Sequence, residues 1–280
     1  MPVLHTALPV EARPLRKALG LKQIKSFRTI DIFQKDNTIL VVSGVGKVPT
    51  AIALSYVGSV FPYACDYFLN IGIAGSCHRD WNLGSAYLIS QAKDHSTTYS
   101  YHSDLIYQSP WKTASLVTVD RPWEGEPPKN ADLVDMEGSA FFQSALYFAE
   151  THQVHSVKLI SDYLDGVRCQ PHNVENWIGS SIPSILDWME TLGNFQKGRT
   201  VFSSPEEREK LVKLLAYFSD NLRLSFTQRS ELENALEVAQ RRNQLHLLQP
   251  DEYLYKMGEE KNKEIGKTKL GSLLKFLYND

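Results

Sequence analysis

Two acidic residues stand where extended runs give out. In Asp132-Leu133-Val134-Asp135-Met136-Glu137-Gly138-Ser139-Ala140, Glu137 lies on the seam between a short extended run and a strongly apolar helix. Further on, Val157-Lys158-Leu159-Ile160-Ser161-Asp162 is a β-type run that ends in Ser161 and Asp162. The carboxyl ends of the strands in an open α/β sheet look into one crevice, so these two carboxylates are expected to share it. Carboxylates placed in this way can grip hydroxyl groups through charge-assisted hydrogen bonds, or move protons. Each also has a plain structural reading. Glu137 could be a first-turn acid favoured by the helix dipole, and Asp162 a strand-end residue capping the next turn.

The elements that must position them alternate along the chain. Val3–Leu8 is a short apolar run closed by Pro9, as in a buried first strand. A helix is expected from Val10 to Gly20, and strands over Thr29–Gln34 and Thr38–Val42. Ser43-Gly44-Val45-Gly46-Lys47-Val48 then enters an apolar helix over Ala51–Phe61, its glycines allowing backbone to approach a ligand closely. Asp66–Ile71 is the next strand, followed by Gly72-Ile73-Ala74-Gly75-Ser76, read as a second glycine turn. Strands are expected over Ser85–Gln91, Ser115–Val119 and His155–Ser161. Helices are expected over Glu137–Thr151 and Val174–Leu192, the latter interrupted around Pro183. This alternation argues for an α/β fold with a mixed sheet. The many extended runs suggest that the sheet is strongly bent or partly barrel-like.

Beyond about residue 195 the texture changes. Gly198 and Ser203-Ser204-Pro205 mark a boundary between a domain over residues 1–197 and an all-helical extension over 198–280. Helices are expected there over Glu206–Phe218, Thr227–Leu248, Asp251–Glu264 and Leu270–Tyr278. Acidic and basic residues balance in this segment, which argues against a nucleic-acid footprint. The whole chain carries a net charge of −2, too little to draw it to nucleic acid or anionic lipid. No apolar run is long enough to span a bilayer, and the first residues read as a strand, not a signal peptide. Cys65, Cys77 and Cys169 lack CxxC spacing, which points to a reducing, cytoplasmic setting. His5, His95, His102 and His172 lack metal-ligand spacing, so no metal is expected.

Four stretches in order resemble the purine nucleoside phosphorylase/uridine phosphorylase superfamily. The likeness is to its hydrolytic branch, the methylthioadenosine/S-adenosylhomocysteine nucleosidases and futalosine hydrolases, and it covers about residues 3–193. Ser43-Gly44-Val45-Gly46-Lys47-Val48 resembles the branch's first glycine turn, and Asn70-Ile71-Gly72-Ile73-Ala74-Gly75 its second. Asp135-Met136-Glu137-Gly138-Ser139-Ala140 is similar to its Met-Glu motif, and Ile160-Ser161-Asp162 to its Ile-Ser-Asp motif. The resemblance implies a three-layer nucleoside phosphorylase-like fold with a central mixed sheet. It also implies cleavage of an N-glycosidic bond without a cofactor, through an oxocarbenium-like sugar that needs a held ribose, a protonated base and a nucleophile opposite.

By that resemblance Glu137 accepts the ribose hydroxyls and Met136 packs the sugar face. Asp162, oriented by Ser161, is the general acid toward a purine N7. Glu11, four residues after Ala7, is the water-activating glutamate, although Leu8-Pro9-Val10 departs from the Met-Glu-Glu common there. Gly44, Ile73, Ala74 and Gly75 line the substrate, and Asp120 and Trp123 reach the base. The phosphorylases place an arginine and a hydroxyl residue where this chain has Asn70 and Ile73, which cannot hold a phosphate dianion. Water is therefore the expected nucleophile. Arg13 keeps a phosphorylase open as an alternative. A shortened base-side loop and the added helices keep open a non-catalytic nucleoside-binding scaffold. The superfamily implies a homodimer or higher homo-oligomer, with a small-molecule nucleoside as ligand.

Overall fold

The computed structural model describes residues 1–61, 65–106, 108–167, 169–199 and 205–222, with scattered positions between 224 and 274. These fall into two compact units, Met1–Gln196 and Lys197–Asp280. No described helix is long and apolar enough to cross a membrane.

The described residues of the first unit form ten strands. They are β1 (Pro2–Thr6), β2 (Lys22–Phe27), β3 (Ile30–Lys35), β4 (Thr38–Val42), β5 (Tyr67–Ser76), β6 (Ala86–Asp94), β7 (Ser100–His102), β8 (Thr113–Thr118), β9 (Leu133–Asp135) and β10 (Val154–Asp162). Strand β5 is the spine. It pairs in parallel with β1 and β10 and antiparallel with β9. Because β10 continues through β6 and β8 to β9, five strands close on themselves as a mixed barrel. From β1 the sheet runs on through β4 and β3 to β2 as an open limb.

Four helices cover the sheet: α1 (Pro9–Leu19), α2 (Lys47–Val60), α3 (Gly138–Ala145) and α4 (Pro171–Arg199). Two cores result, which makes three layers. Leu54 and Val57 of α2 pack with Phe141 and Phe142 of α3 and with Val3, Val41 and Phe68 of the sheet. Ala12 and Leu15 of α1 pack with Ile178 and Trp188 of α4 and with Leu4, Leu40 and Leu69.

Several sequence expectations are corrected. The stretch Gly72–Ser76 is strand, not turn: β5 runs through it to Ser76. Its glycines serve side chains that cross the strand's face. A Cβ on Gly72 would lie 3.1 Å from Glu11 Oε1, and one on Gly75 only 2.3 Å from Leu164 Cδ2. Helix α3 is shorter than expected and starts after Glu137, which is its N-cap. Helix α4 carries Pro183 inside it without a break. Strands β2 and β7 escaped the reading. β2 is exposed along nearly its whole length and lacks apolar alternation, so only its pairing with β3 makes it a strand.

In the second unit α5 (Pro205–Leu222) begins with proline at its first position. Leu214, Leu215 and Phe218 pack with Leu232, Leu236 and Leu273. Of the helix expected over Thr227–Leu248 only scattered helical positions such as Leu232 and Leu236 are described, while the one over Asp251–Glu264 and most of the last lie outside the described residues.

Candidate active site

A cavity of about 230 Å³ opens at the carboxyl ends of β1, β5, β9 and β10. Four carboxylates line it: Glu11, Asp135, Glu137 and Asp162. Apolar residues line it too: Val119, Pro122, Trp123, Val134, Met136 and Leu164. Ile73, Ala74, Gly75 and Ser161 are also in the lining.

Glu11 is placed by the start of α1. Pro9 is the first helical residue and Glu11 the third, from where its side chain reaches back over the helix end. Its Oε2 accepts hydrogen bonds from the N–H groups of Ala7 (2.9 Å) and Leu8 (2.8 Å), and its Oε1 from that of Ile73 (3.0 Å). Burial raises its pKa above the usual carboxylate value, opposed by Lys158 and by these three amides.

Glu137 accepts the N–H of Gly46 at 2.7 Å, so the first glycine turn does bear on the site. Its pKa is pushed up to about 7, mainly by burial and then by the nearby Asp135. Asp162 is held through both oxygens. Oδ2 accepts the Ser161 hydroxyl at 2.6 Å and Oδ1 accepts the N–H of Leu164 at 3.0 Å. Leu164 adopts a left-handed backbone (φ 58°), a strained state that clusters at functional sites.

Lys158 was not anticipated. It points from the middle of β10 beside Gly72, its register partner on β5. Its Nζ lies 2.8 Å from Asp135 Oδ2, and both side chains are almost fully buried. Burial pulls down the pKa of this ammonium, but Asp135, Glu137 and Glu11 more than offset it and hold it above its ordinary value. Asp135 also accepts the Thr118 hydroxyl and the N–H of Gly138. One buried cation thus sits among three carboxylates. The signal was present in the sequence: a lone lysine inside an apolar β run requires buried partners.

Two expected residues are not brought into the cavity lining. Asp120 is exposed and pairs with Lys47 at 2.7 Å and with Ser96. Gly44 stands behind Val45, which lines the cavity in its place. Trp123 does line it, in edge contact with His95. Arg13 pairs with Glu175 on the surface at 3.3 Å. Among the described residues no cluster of side chains could hold a metal ion.

The sequence matches no family model and no curated protein. Solved structures do match. The chain has the fold of the nucleosidases. A 5′-methylthioadenosine/S-adenosylhomocysteine nucleosidase from Helicobacter pylori superposes with a TM-score of 0.57 at 15% identity, over 68% of this chain and 97% of that one. The Arabidopsis thaliana 5′-methylthioadenosine nucleosidase gives 0.55 at 18% identity, over 70% and 96%. Futalosine hydrolase of Helicobacter pylori gives 0.54 at 14% identity, over 69% and 97%. The nucleosidase fold accounts for the closed barrel and for the crevice at its strand ends. What that crevice does depends on its own side chains.

Proposed function

We propose that this chain is a nucleosidase that hydrolyses the N-glycosidic bond of a purine-type nucleoside. The observation that carries the reading is the convergence of Glu11, Glu137 and Asp162 on one cavity whose lining is otherwise largely apolar. Glu137 accepts the ribose hydroxyls, and its charge favours the cationic sugar of the transition state. Glu11 takes a proton from water as the water oxygen attacks C1′. The C1′–N9 bond breaks, and Asp162 supplies a proton at N7 of the departing base. Solvent then returns the proton from Glu11 to Asp162. Met136 packs the sugar and Trp123 stacks on the base. A solved nucleosidase from Helicobacter pylori with 5′-methylthioadenosine in its active site supports a nucleoside of this class.

Water is favoured over phosphate by the charge of the site. The cavity lining contains four carboxylates and neither lysine nor arginine. A phosphate dianion would find no lining cation to hold it, since the Lys158 ammonium is paired with Asp135, and only the alkyl group of Ile73 where a phosphorylase has a hydroxyl. Asn70 is turned away, bonded to His5 and Ser156. Incubation with a panel of nucleosides, with and without phosphate, should release free base and a free ribose derivative at the same rate in both. Formation of a sugar 1-phosphate, or an absolute need for phosphate, would overturn the hydrolytic reading. Absence of base release from the entire panel would overturn the enzyme itself.

The protein works in the cytoplasm as a homodimer or higher oligomer. Cys65, Cys77 and Cys169, without CxxC spacing, suit a reducing compartment. Val48, Ile52 and Val60 form an exposed apolar stripe along α2, of the kind that subunit contacts cover. Sedimentation of the full chain as a monomer would contradict the assembly, and secretion of the protein would contradict the compartment.

A further inference from the structure

A row of polar side chains crosses the buried sheet behind the site. Ser156 on β10, Asn70 on β5 and His5 on β1 are register partners in sequence across three parallel strands. Ser43 follows the end of β4. All four are completely or almost completely buried. An apolar row would fill the same space without the cost of burying polar groups.

The hydrogen bonds in this row run in one direction. The Ser156 hydroxyl donates to Asn70 Oδ1 at 2.9 Å. Asn70 Nδ2 donates to His5 Nδ1 at 2.7 Å, so the imidazole proton sits on Nε2. Nε2–H donates to Ser43 Oγ at 2.9 Å, and the Ser43 hydroxyl donates to the Gly44 carbonyl at 2.7 Å. Burial, and then Lys158, push the His5 pKa down to about 3, so the ring stays neutral and keeps its one acceptor.

The row ends on the turn that holds the carboxylates. Gly44 N–H donates to the Ala7 carbonyl, and Ala7 N–H donates to Glu11. Two residues beyond Gly44, Gly46 N–H donates to Glu137. Gly44 and Gly46 have φ of 88° and 103°, and glycine crosses to other backbone states at little steric cost. A flip of the peptide between Val45 and Gly46 would withdraw the amide from Glu137. The Ser43 hydroxyl, aimed by His5, pins the neighbouring peptide against it. Lys47, bonded to Asp94 at 2.9 Å, ties down the far end of the turn. The His5 ring also lies against Phe141, one turn into the helix that Glu137 caps.

We infer that His5 and Ser43 are positioning residues: through the Gly44 carbonyl they fix the Gly46 amide that orients Glu137 toward the substrate. The effect on substrate rests on the proposed role of Glu137 as ribose ligand, whereas the fixing of the amide does not.

Comparison of Ser43→Ala with Ser156→Ala tests this. Each removes one hydroxyl from the same buried row. Ser156→Ala leaves Asn70 Oδ1 unmatched, and Ser43→Ala leaves both His5 Nε2–H and the Gly44 carbonyl unmatched, so both should lower Tm, Ser43→Ala by more. Only Ser43→Ala should speed hydrogen exchange of the Gly46 amide in the full chain. The expected change is about tenfold, the size of one lost hydrogen bond. Only Ser43→Ala should raise the KM of a nucleoside that the wild type hydrolyses, also by about tenfold, with kcat changed less. Ser43→Thr, which keeps the hydroxyl, should restore both. His5→Leu should behave as Ser43→Ala, and His5→Gln, which can still accept and donate, should be milder. A Gly46 amide as protected in Ser43→Ala as in the wild type would overturn the inference, as would equal effects of the two alanine variants. If the wild type hydrolyses nothing, amide exchange still decides the positioning, and only the functional reading fails.

Discussion

Replacing Glu11 with glutamine is expected to lower kcat by about 10²–10⁴-fold, the range a positioned general base supplies. The nucleoside KM should change little, because Glu11 is assigned to the water and not to the ribose. Three backbone amides fix this carboxylate. Such bonds ordinarily favour the ionised form, but burial raises the pKa despite them, which strengthens the group as a base. An amide side chain cannot take the proton. Its NH₂ would also confront one of the backbone donors that the carboxylate satisfied, so a modest drop in Tm should accompany the loss. Steady-state kinetics on the purified variant, with a thermal melt to confirm folding, make the check. Turnover close to the wild type would mean that water is activated elsewhere in the cavity.

Replacing Lys158 with methionine should have the largest effect on stability. Methionine matches the length of the lysine stem but leaves Asp135 buried with its charge uncompensated. Breaking a buried pair by removing one partner costs about 3–5 kcal/mol, which would show as an early midpoint in urea. The penalty should also depend on pH. The Glu137 pKa stands near 7 in the folded chain, against an ordinary 4.5. A raised pKa means that the folded chain binds this proton more tightly than the unfolded chain does. The stability it contributes is therefore fully present below about 4.5 and lost as pH rises through about 7. Lys158 opposes the upward shift. Without it the Glu137 pKa climbs further, and the loss extends to higher pH. The gap between variant and wild type should widen from pH 5 to pH 8. A variant as stable as the wild type at pH 8 would refute the electrostatic account of this cluster.

Much of the site could be read before the fold was known, and the reasons are local. Glu137 and Asp162 each end an extended run, and that position alone sends a side chain toward the crevice of an α/β sheet. Glu11 was reached through the resemblance, four residues after Ala7; the reach-back of a third helical residue over the helix end is what the structure adds. The parts that were missed depend on neighbours far away in sequence. Gly72 and Gly75 looked like turn residues because glycine usually punctuates. Their real cause is Glu11, Lys158 and Leu164 crowding β5 from other segments. Lys158 was passed over inside an apolar run, since its partner Asp135 becomes visible only when β9 and β10 enter one barrel. The row from Ser156 to Ser43 requires the register of four strands, which no periodicity encodes. Asp120 was placed by the resemblance, yet it is exposed and bonded to Lys47 and Ser96.

The closure of the barrel on β5 has a consequence for the order in which the cavity forms. β1 to β4 lie early, and the β2–β3 and β3–β4 pairings are hairpins that form from local contacts. β5 cannot complete its pairing until β10 arrives from more than eighty residues downstream. Contacts of such long sequence separation form slowly, because loop closure must precede them. The last of them brings Asp162 and Lys158 to Glu11 and Glu137. The cavity that gathers these carboxylates is therefore expected to be among the last parts of the first unit to assemble, both during synthesis and on refolding. A nascent chain that stops before β10 carries Glu11 and Glu137 but lacks both Lys158, the cation between them, and Asp162.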